Sequence, residues 1–169
     1  MATKDLKQIT NIYAALTVSL FLTFLPLASA ALLACIMFLG VWISAYVIRS
    51  KSDHDSLTNN HMTYIIRTIW ISGLFGLITM SFAGIYVYGS VDPSVLLNCT
   101  GGISSTDMAA IEAAVKPCMN QFILAHKKEL IYGTLVGGGP MVVYLAYRLC
   151  KGLSRSIKGH RIGDVTNWF

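Results

Sequence analysis

Charge is what this chain has least of. Asp, Glu, Lys and Arg together make up 12% of its 169 residues, about half the usual share, against 54% hydrophobic residues. A soluble domain of this size needs more polar surface than that. The scarcity is sharpest for acids, since no Asp or Glu lies in the four longest apolar stretches, 12–27, 30–48, 65–88 and 131–149. That excludes a proton-coupled pump of the carboxylate type. A Walker-type phosphate loop, an HExxH zinc signature and paired buried carboxylates are also missing, so the corresponding NTPase and hydrolase chemistries have no residues to run on. The histidines His54, His61, His126 and His160 all fall outside the middles of the apolar stretches, which denies a haem two axial ligands at one depth. Neither a cofactor nor a metal is expected. Internal repeats and low-complexity segments are absent too.

What the chain does have is length of apolar sequence. A helix of about 20 apolar residues spans the hydrocarbon core of a bilayer, and only helices satisfy their own backbone there within one segment. The expected fold class is therefore all-α: a four-helix transmembrane bundle forming a single membrane domain over residues 1–169. With both ends inside, the cytoplasmic side holds Lys4, Lys7, Arg49, Lys51, Arg67, Arg148, Lys151, Arg155, Lys158 and Arg161. The other side holds only Lys116, Lys127 and Lys128. Ten basic residues against three predict an N-in/C-in orientation in a bacterial inner membrane. The net charge of +5 is thus topological, and its partner is lipid headgroups at the basic cytoplasmic side, not nucleic acid.

Residues 1–11 are polar enough to lie along the headgroups as a first helical turn or two. The first two spans meet near Pro26–Ala30, a tight turn in which Pro26 helps to end the first helix. Trp42 and Tyr46 suit the membrane interface. Residues 50–60 form a polar loop, after which His61 begins the third helix. The outer loop, 89–130, is the only sizeable part outside the spans. Within it Ser104–Thr106, followed by Asp107 in the first turn, predict a capped helix that Pro117 should break or kink. The fourth helix is expected to reach outward to about Cys118. A basic tail, 151–169, closes the chain on Asn167, Trp168 and Phe169.

Packing between helices in lipid relies on small residues and hydrogen bonds. Gly40 with Ser44, Ser72 with Gly76, and Gly133 with Gly137 each place two small residues one turn apart on one face. Bundle packing within the chain is the leading reading of these pairs, and contact with a second protein is the alternative. Gly137-Gly138-Gly139-Pro140 should unwind or kink the fourth helix near its middle, either as a packing kink or as a broken helix whose freed carbonyls would suit a transport path. On the third helix His61, Tyr64, Thr68 and Ser72 share a face, and this polar stripe, with Arg67 beside it, should point into the bundle.

The four cysteines divide by position. Cys35 and Cys150 lie at or in spans, as ordinary packing residues. Cys99 and Cys118 fall in the outer loop, where a structural disulfide is expected between a strand-like lead-in and the outer helix. Four spans and an outer cysteine pair resemble the DsbB-type quinone-linked thiol oxidoreductases in topology. That family also needs a Cys-x-x-Cys pair in its first outer loop, and Pro26–Ala30 has none.

A second resemblance rests on Asn60–Trp70, on Tyr144-x-x-Tyr147-Arg148-x-x-Lys151-Gly152 followed by Gly159-His160-Arg161-Ile162, and on Tyr46–Arg49. Together these resemble small bacterial four-span inner-membrane proteins distantly related to the chloroplast Tic-type import component. Ile69 stands where that pattern has an aromatic residue, and Ile162 where it has a proline. The resemblance implies fold and location, and makes a secretion or translocation assembly the natural setting. The expected function is a non-enzymatic accessory or assembly subunit whose partners are other membrane proteins, in a hetero- or homo-oligomer. A small transporter or channel is the alternative, and a thiol oxidoreductase the third.

Overall fold

The computed structural model describes residues 2–25, 27–101, 107–163 and 165, so the readings placed on Pro26, Ser104–Thr106 and Asn167–Phe169 lie outside it. Among the described residues all regular structure is helical: α1 (Ala2–Thr23), α2 (Ala28–Lys51), α3 (Leu57–Ser90), α4 (Ser94–Thr100), α5 (Met108–Ala125) and α6 (Lys127–Ile157). The all-α expectation holds. Three of these helices, α2, α3 and α6, are long and apolar enough to cross a membrane, where four were expected. The shortfall is in α1. It absorbs the polar lead-in that was expected to lie along the headgroups, so Asp5, Lys7, Gln8 and Asn11 dilute its apolar second half.

The chain divides into two compact units, Met1–Phe75 with Val142–Phe169, and Gly76–Met141. In the first, α1 packs on α2 across the short turn that follows Thr23. Ile9, Tyr13 and Leu16 recur along one face of α1 at helical spacing and are buried with Val41 and Ala45 of α2 and Met62, Ile65 and Ile69 of α3. Leu149 of α6 and Ile162 beyond it complete this core. Helix α3 starts at Leu57, one turn before the expected His61, because Ser56 Oγ accepts from the Asn59 backbone N–H and caps it. Helix α6 runs past the expected end of its span to Ile157, so residues 151–157 are helix and not tail.

Its end is a Schellman turn. Gly159, at φ +68°, donates to the Ser156 carbonyl and His160 donates to the Arg155 carbonyl. Only a residue without a side chain takes that backbone conformation at no steric cost.

Among the described residues, the second unit holds two helices, α4 and α5, between α3 and α6, where one was expected. Cys99 lies on α4, not on a strand-like lead-in. Asp92 Oδ1 accepts from the Ser94 backbone N–H just before α4, and this bond holds the Asp92 carboxyl below the usual carboxylate range. Asp107 is the N-cap of α5 and not a first-turn residue, for its side chain accepts from the Ala109 N–H. Pro117 does not end α5, which continues to Ala125. An interior proline costs roughly 3 kcal/mol, and the disulfide at the adjacent Cys118 is worth about 2–4 kcal/mol, enough to hold the turn. The break falls instead at His126, so α6 does not reach back to Cys118.

Helix α6 also stays helical through Gly137, Gly138, Gly139 and Pro140, so of the expected unwinding or kink the unwinding does not occur. The clash that drives a residue preceding proline out of helix involves its Cβ, and Gly139 has none. In hydrocarbon, moreover, an unwound backbone finds no water to replace its lost hydrogen bonds.

Candidate functional site

The polar stripe of α3 is buried, as expected. His61, Tyr64, Thr68 and Ser72 are all closed off, while Arg67 is half-buried at their side. What they face was not foreseen. Arg148, counted in the sequence among the flanking cytoplasmic charges, is 1% exposed and lies inside the first unit. Its guanidinium carbon sits 3.8 Å above the centre of the Tyr64 ring, and its Nε donates to Thr68 Oγ1 at 3.1 Å. The Tyr64 hydroxyl in turn donates to the Arg148 carbonyl at 3.3 Å. A second ring, Tyr144, stands 5.9 Å from the same guanidinium, one turn earlier on α6. A buried cation is tolerated here because two aromatic faces and a hydroxyl replace water around it.

Next to this cluster, His61 bridges two elements. Its Nε2 lies 3.1 Å from the His160 carbonyl, and its Nδ1 lies 3.1 Å from the Tyr13 hydroxyl. The carbonyl can only accept, so Nε2 carries the proton and Nδ1 accepts from Tyr13. Asn60 adds a reciprocal pair: its Nδ2 donates to the Ile162 carbonyl, and its Oδ1 accepts from the Ile162 N–H at 2.8 Å. Adjacent residues at the start of α3 thus hold the segment that follows α6, and Ile162 enters the core beside them. The Tyr13 ring lies edge-on to His61, its centroid 5.8 Å away.

At the other side of this unit an aromatic group gathers on α2 and α3. Trp70 Nε1 donates to Tyr46 Oη at 2.9 Å, and Trp42 packs edge-on to Trp70. These rings are amphipathic and suit a membrane interface.

The small-residue pairs divide by use. A Cβ at Gly133 would come within 2.6 Å of Val87, and one at Gly137 within 2.8 Å of the Ala83 Cβ, so this pair packs α6 on α3 in the second unit. Gly76 is likewise filled, by Met141. Ser72 is buried and spends its hydroxyl on the Thr68 carbonyl of its own helix. Gly40 differs: it is exposed, nothing lies within 4 Å of its missing Cβ, and Ser44 one turn on is half-buried. Cys99 and Cys118 form the expected disulfide, and Cys35 and Cys150 are free and exposed.

Chemically, the Arg148 cluster positions helices, because its hydrogen bonds and ring contacts join α3 to α6 and, through His61, the segment after α6 to α1. Sequence reasoning missed Arg148, Tyr13 and Asn60 as members. The one signal for Arg148 was its place within the last apolar stretch, one residue before its end at Leu149. No family model, no curated protein and no solved structure matches this chain.

Proposed function

We propose that this protein is a non-enzymatic integral membrane subunit that assembles with other membrane proteins through its α2 face. The observation that carries the reading is the contrast between its glycines. Gly133 and Gly137 are consumed by packing within the chain, whereas Gly40 presents a notch that the chain itself leaves empty. Around it Ile36, Leu39, Ile43 and Val47 are exposed on the same helix, an apolar surface suited to lipid or to a second helix.

The finer reading is a four-span bundle with both ends cytoplasmic. Helix α1 has 22 residues, about 33 Å of helix, and packs along α2 as a hairpin partner, so it shares the depth at which α2 crosses. The asymmetry of basic residues supports the orientation, and with it a bacterial inner membrane. The resemblance to Tic-related bacterial proteins supports a secretion or translocation assembly as the setting. The transporter alternative loses its chief support, since α6 is unbroken at Pro140.

The test is Gly40→Leu. Chemical cross-linking and gentle solubilisation from membranes should recover the wild-type chain in a larger complex, and the variant as a free protein of unchanged melting temperature. A wild-type chain that runs as a lone monomer, with nothing cross-linked to α2, would sink the subunit reading.

A further inference from the structure

Beyond the α2 face, the first unit carries a second surface whose chemistry is unrelated to helix packing. The last two turns of α6 and the segment folded back after them enclose an open groove of about 680 Å³, lined by Lys151, Ser154, Arg155, Lys158, His160 and Arg161. Four of its six walls are permanent cations, and no acid is among them.

Some cations at the end of a helix are ordinary, because they suit the negative end of the helix dipole. That accounts for Arg155 in the last turn and for Lys158 directly after it. It does not account for Lys151, which lies before the last turn, or for Arg161, which the Schellman turn at Gly159 folds back beside them. The fold-back is held rather than loose. Arg155 Nη1 donates to the Arg161 carbonyl at 3.0 Å, His61 Nε2 donates to the His160 carbonyl, and Asn60 clasps Ile162. These bonds hold Arg161 beside Arg155, and with Lys158 and Lys151, whose Nζ donates to the Tyr147 hydroxyl, four like charges line one concavity. Among the described residues a single acid answers them: Asp55 lies 3.9 Å from Arg161, with both side chains largely in solvent, a pairing of little strength. Among the described residues no other acid pairs with these cations, so the groove presents a positive surface to its surroundings.

We propose that this groove is a binding site for a phosphate-bearing anion, with the headgroup of an anionic lipid as its natural source. Arginine and lysine side chains together suit phosphate oxygens, and the Ser154 hydroxyl and the His160 ring lie in the same wall as further hydrogen-bonding groups. The place also suits a headgroup. The groove opens at the end of the unit marked by His61, about 13 Å along α3 from Trp70 and its partner Tyr46, on the polar side of those interface rings. The proposal rests on the chain being embedded in a membrane, but not on its subunit role or on which side this end faces.

The experiment uses the full chain in a neutral detergent, titrated in parallel with phosphatidic acid, phosphatidylglycerol, phosphatidylcholine and inorganic phosphate. Bound lipid is counted by native mass spectrometry, and phosphate binding by equilibrium dialysis. The two anionic lipids should bind saturably, at least tenfold more tightly than phosphatidylcholine. Lys151→Gln and Lys158→Gln should each raise the half-saturating concentration about fivefold, as expected for one basic residue near an anionic surface. Lys127→Gln and Lys128→Gln, basic residues of the other unit, should leave it unchanged. Equal affinity for inorganic phosphate, lost in the same two groove variants, would keep the site and assign it a soluble phosphate source. Equal weakening by all four substitutions, or none by the groove pair, would overturn the proposal. A chain that stays soluble without detergent would sink the membrane reading alone, since phosphate dialysis would still report on the groove.

Discussion

The Tyr13 ring occupies the space that a side chain at position 152 would need. A Cβ built on Gly152 would come within 2.5 Å of both Tyr13 Cε1 and Tyr13 Oη. The contact is fixed on both sides, because the Tyr13 hydroxyl is engaged by His61 Nδ1 and the ring is buried beside it. Gly152 is therefore required for close approach of α1 to α6, not for a special backbone angle. Gly152→Ala should destabilise the protein by about 1–3 kcal/mol, the usual cost of overpacking. Tyr13→Ala makes room, so the double variant should be less damaged than the two single effects summed. Thermal unfolding of the four proteins in one detergent measures that coupling directly.

Arg148 gives a prediction about shape rather than charge. Lysine keeps the charge but has no planar face to lay on Tyr64 and no Nε to reach Thr68. Arg148→Lys should lower stability by roughly 1–2 kcal/mol, the scale of a desolvated cation–π contact plus one hydrogen bond. Thr68→Val removes the hydroxyl that accepts from Arg148 and donates to the Tyr64 carbonyl but leaves the guanidinium on the Tyr64 ring, and should cost less. A lysine variant that melts with the wild type would show that the Tyr64 stacking contributes nothing.

The sequence made the broad outline of this molecule readable because hydrocarbon imposes long apolar helices and little else. Small residues at Gly133 and Gly137, and the buried face of α3 through His61, Tyr64 and Thr68, were legible for the same reason: helical spacing converts directly into a face. Arg148 was not. It ends an apolar stretch, where a basic residue ordinarily marks a flank, and its partners Thr68 and Tyr64 lie 80 and 84 residues away. Nothing local distinguishes a charge that snorkels out from one that is covered by two rings. The prolines do not end their helices, which was one of the two effects expected of them. Pro117 and Pro140 each lose one backbone donor, but a neighbouring disulfide in the first case and a preceding glycine in the second remove the reasons to unwind. Helix α4 was missed because seven residues carry too short a period to register.

The disulfide joins α4 to α5 within the second unit, so its loss should be felt there and nowhere else. Cys99→Ser with Cys118→Ser should destabilise that unit by about 2–4 kcal/mol. Hydrogen exchange followed by mass spectrometry should show faster exchange across 94–125, with protection around Ile65 and Leu149 unchanged. Uniform loss of protection through both regions would mean that the bridge supports the whole chain.

Asn60 holds the segment after α6 through both of its amide atoms, and a substitution can separate the two. Asn60→Asp keeps the acceptor for the Ile162 N–H but removes the donor to its carbonyl, whereas Asn60→Ala removes both. The alanine variant leaves a part-buried N–H and C=O unmatched, at roughly 1–3 kcal/mol, and the aspartate variant should fall between it and the wild type. Proteolysis after Lys158 and Arg161 reports the release, and should accelerate in the same order.

Neighbouring glycines on α6 supply the sharpest contrast. Replacing glycine by alanine within a helix gains about 1 kcal/mol of backbone stability wherever the new methyl has room. At Gly138 it has room, for the nearest atom is Met80 Cε at 3.9 Å, an ordinary contact distance. At Gly137 it does not: the Ala83 Cβ stands 2.8 Å away and the Met80 sulfur 3.2 Å, so α3 and α6 would have to separate. Gly138→Ala should therefore match or exceed the wild-type melting temperature, and Gly137→Ala should fall below it. The same pair bears on transport, because a helix that must unwind at 137–140 to conduct would be impaired by alanine at either position. A loss of flux in Gly138→Ala without a loss of stability would restore the broken-helix reading, whereas damage confined to Gly137 assigns these glycines to packing alone.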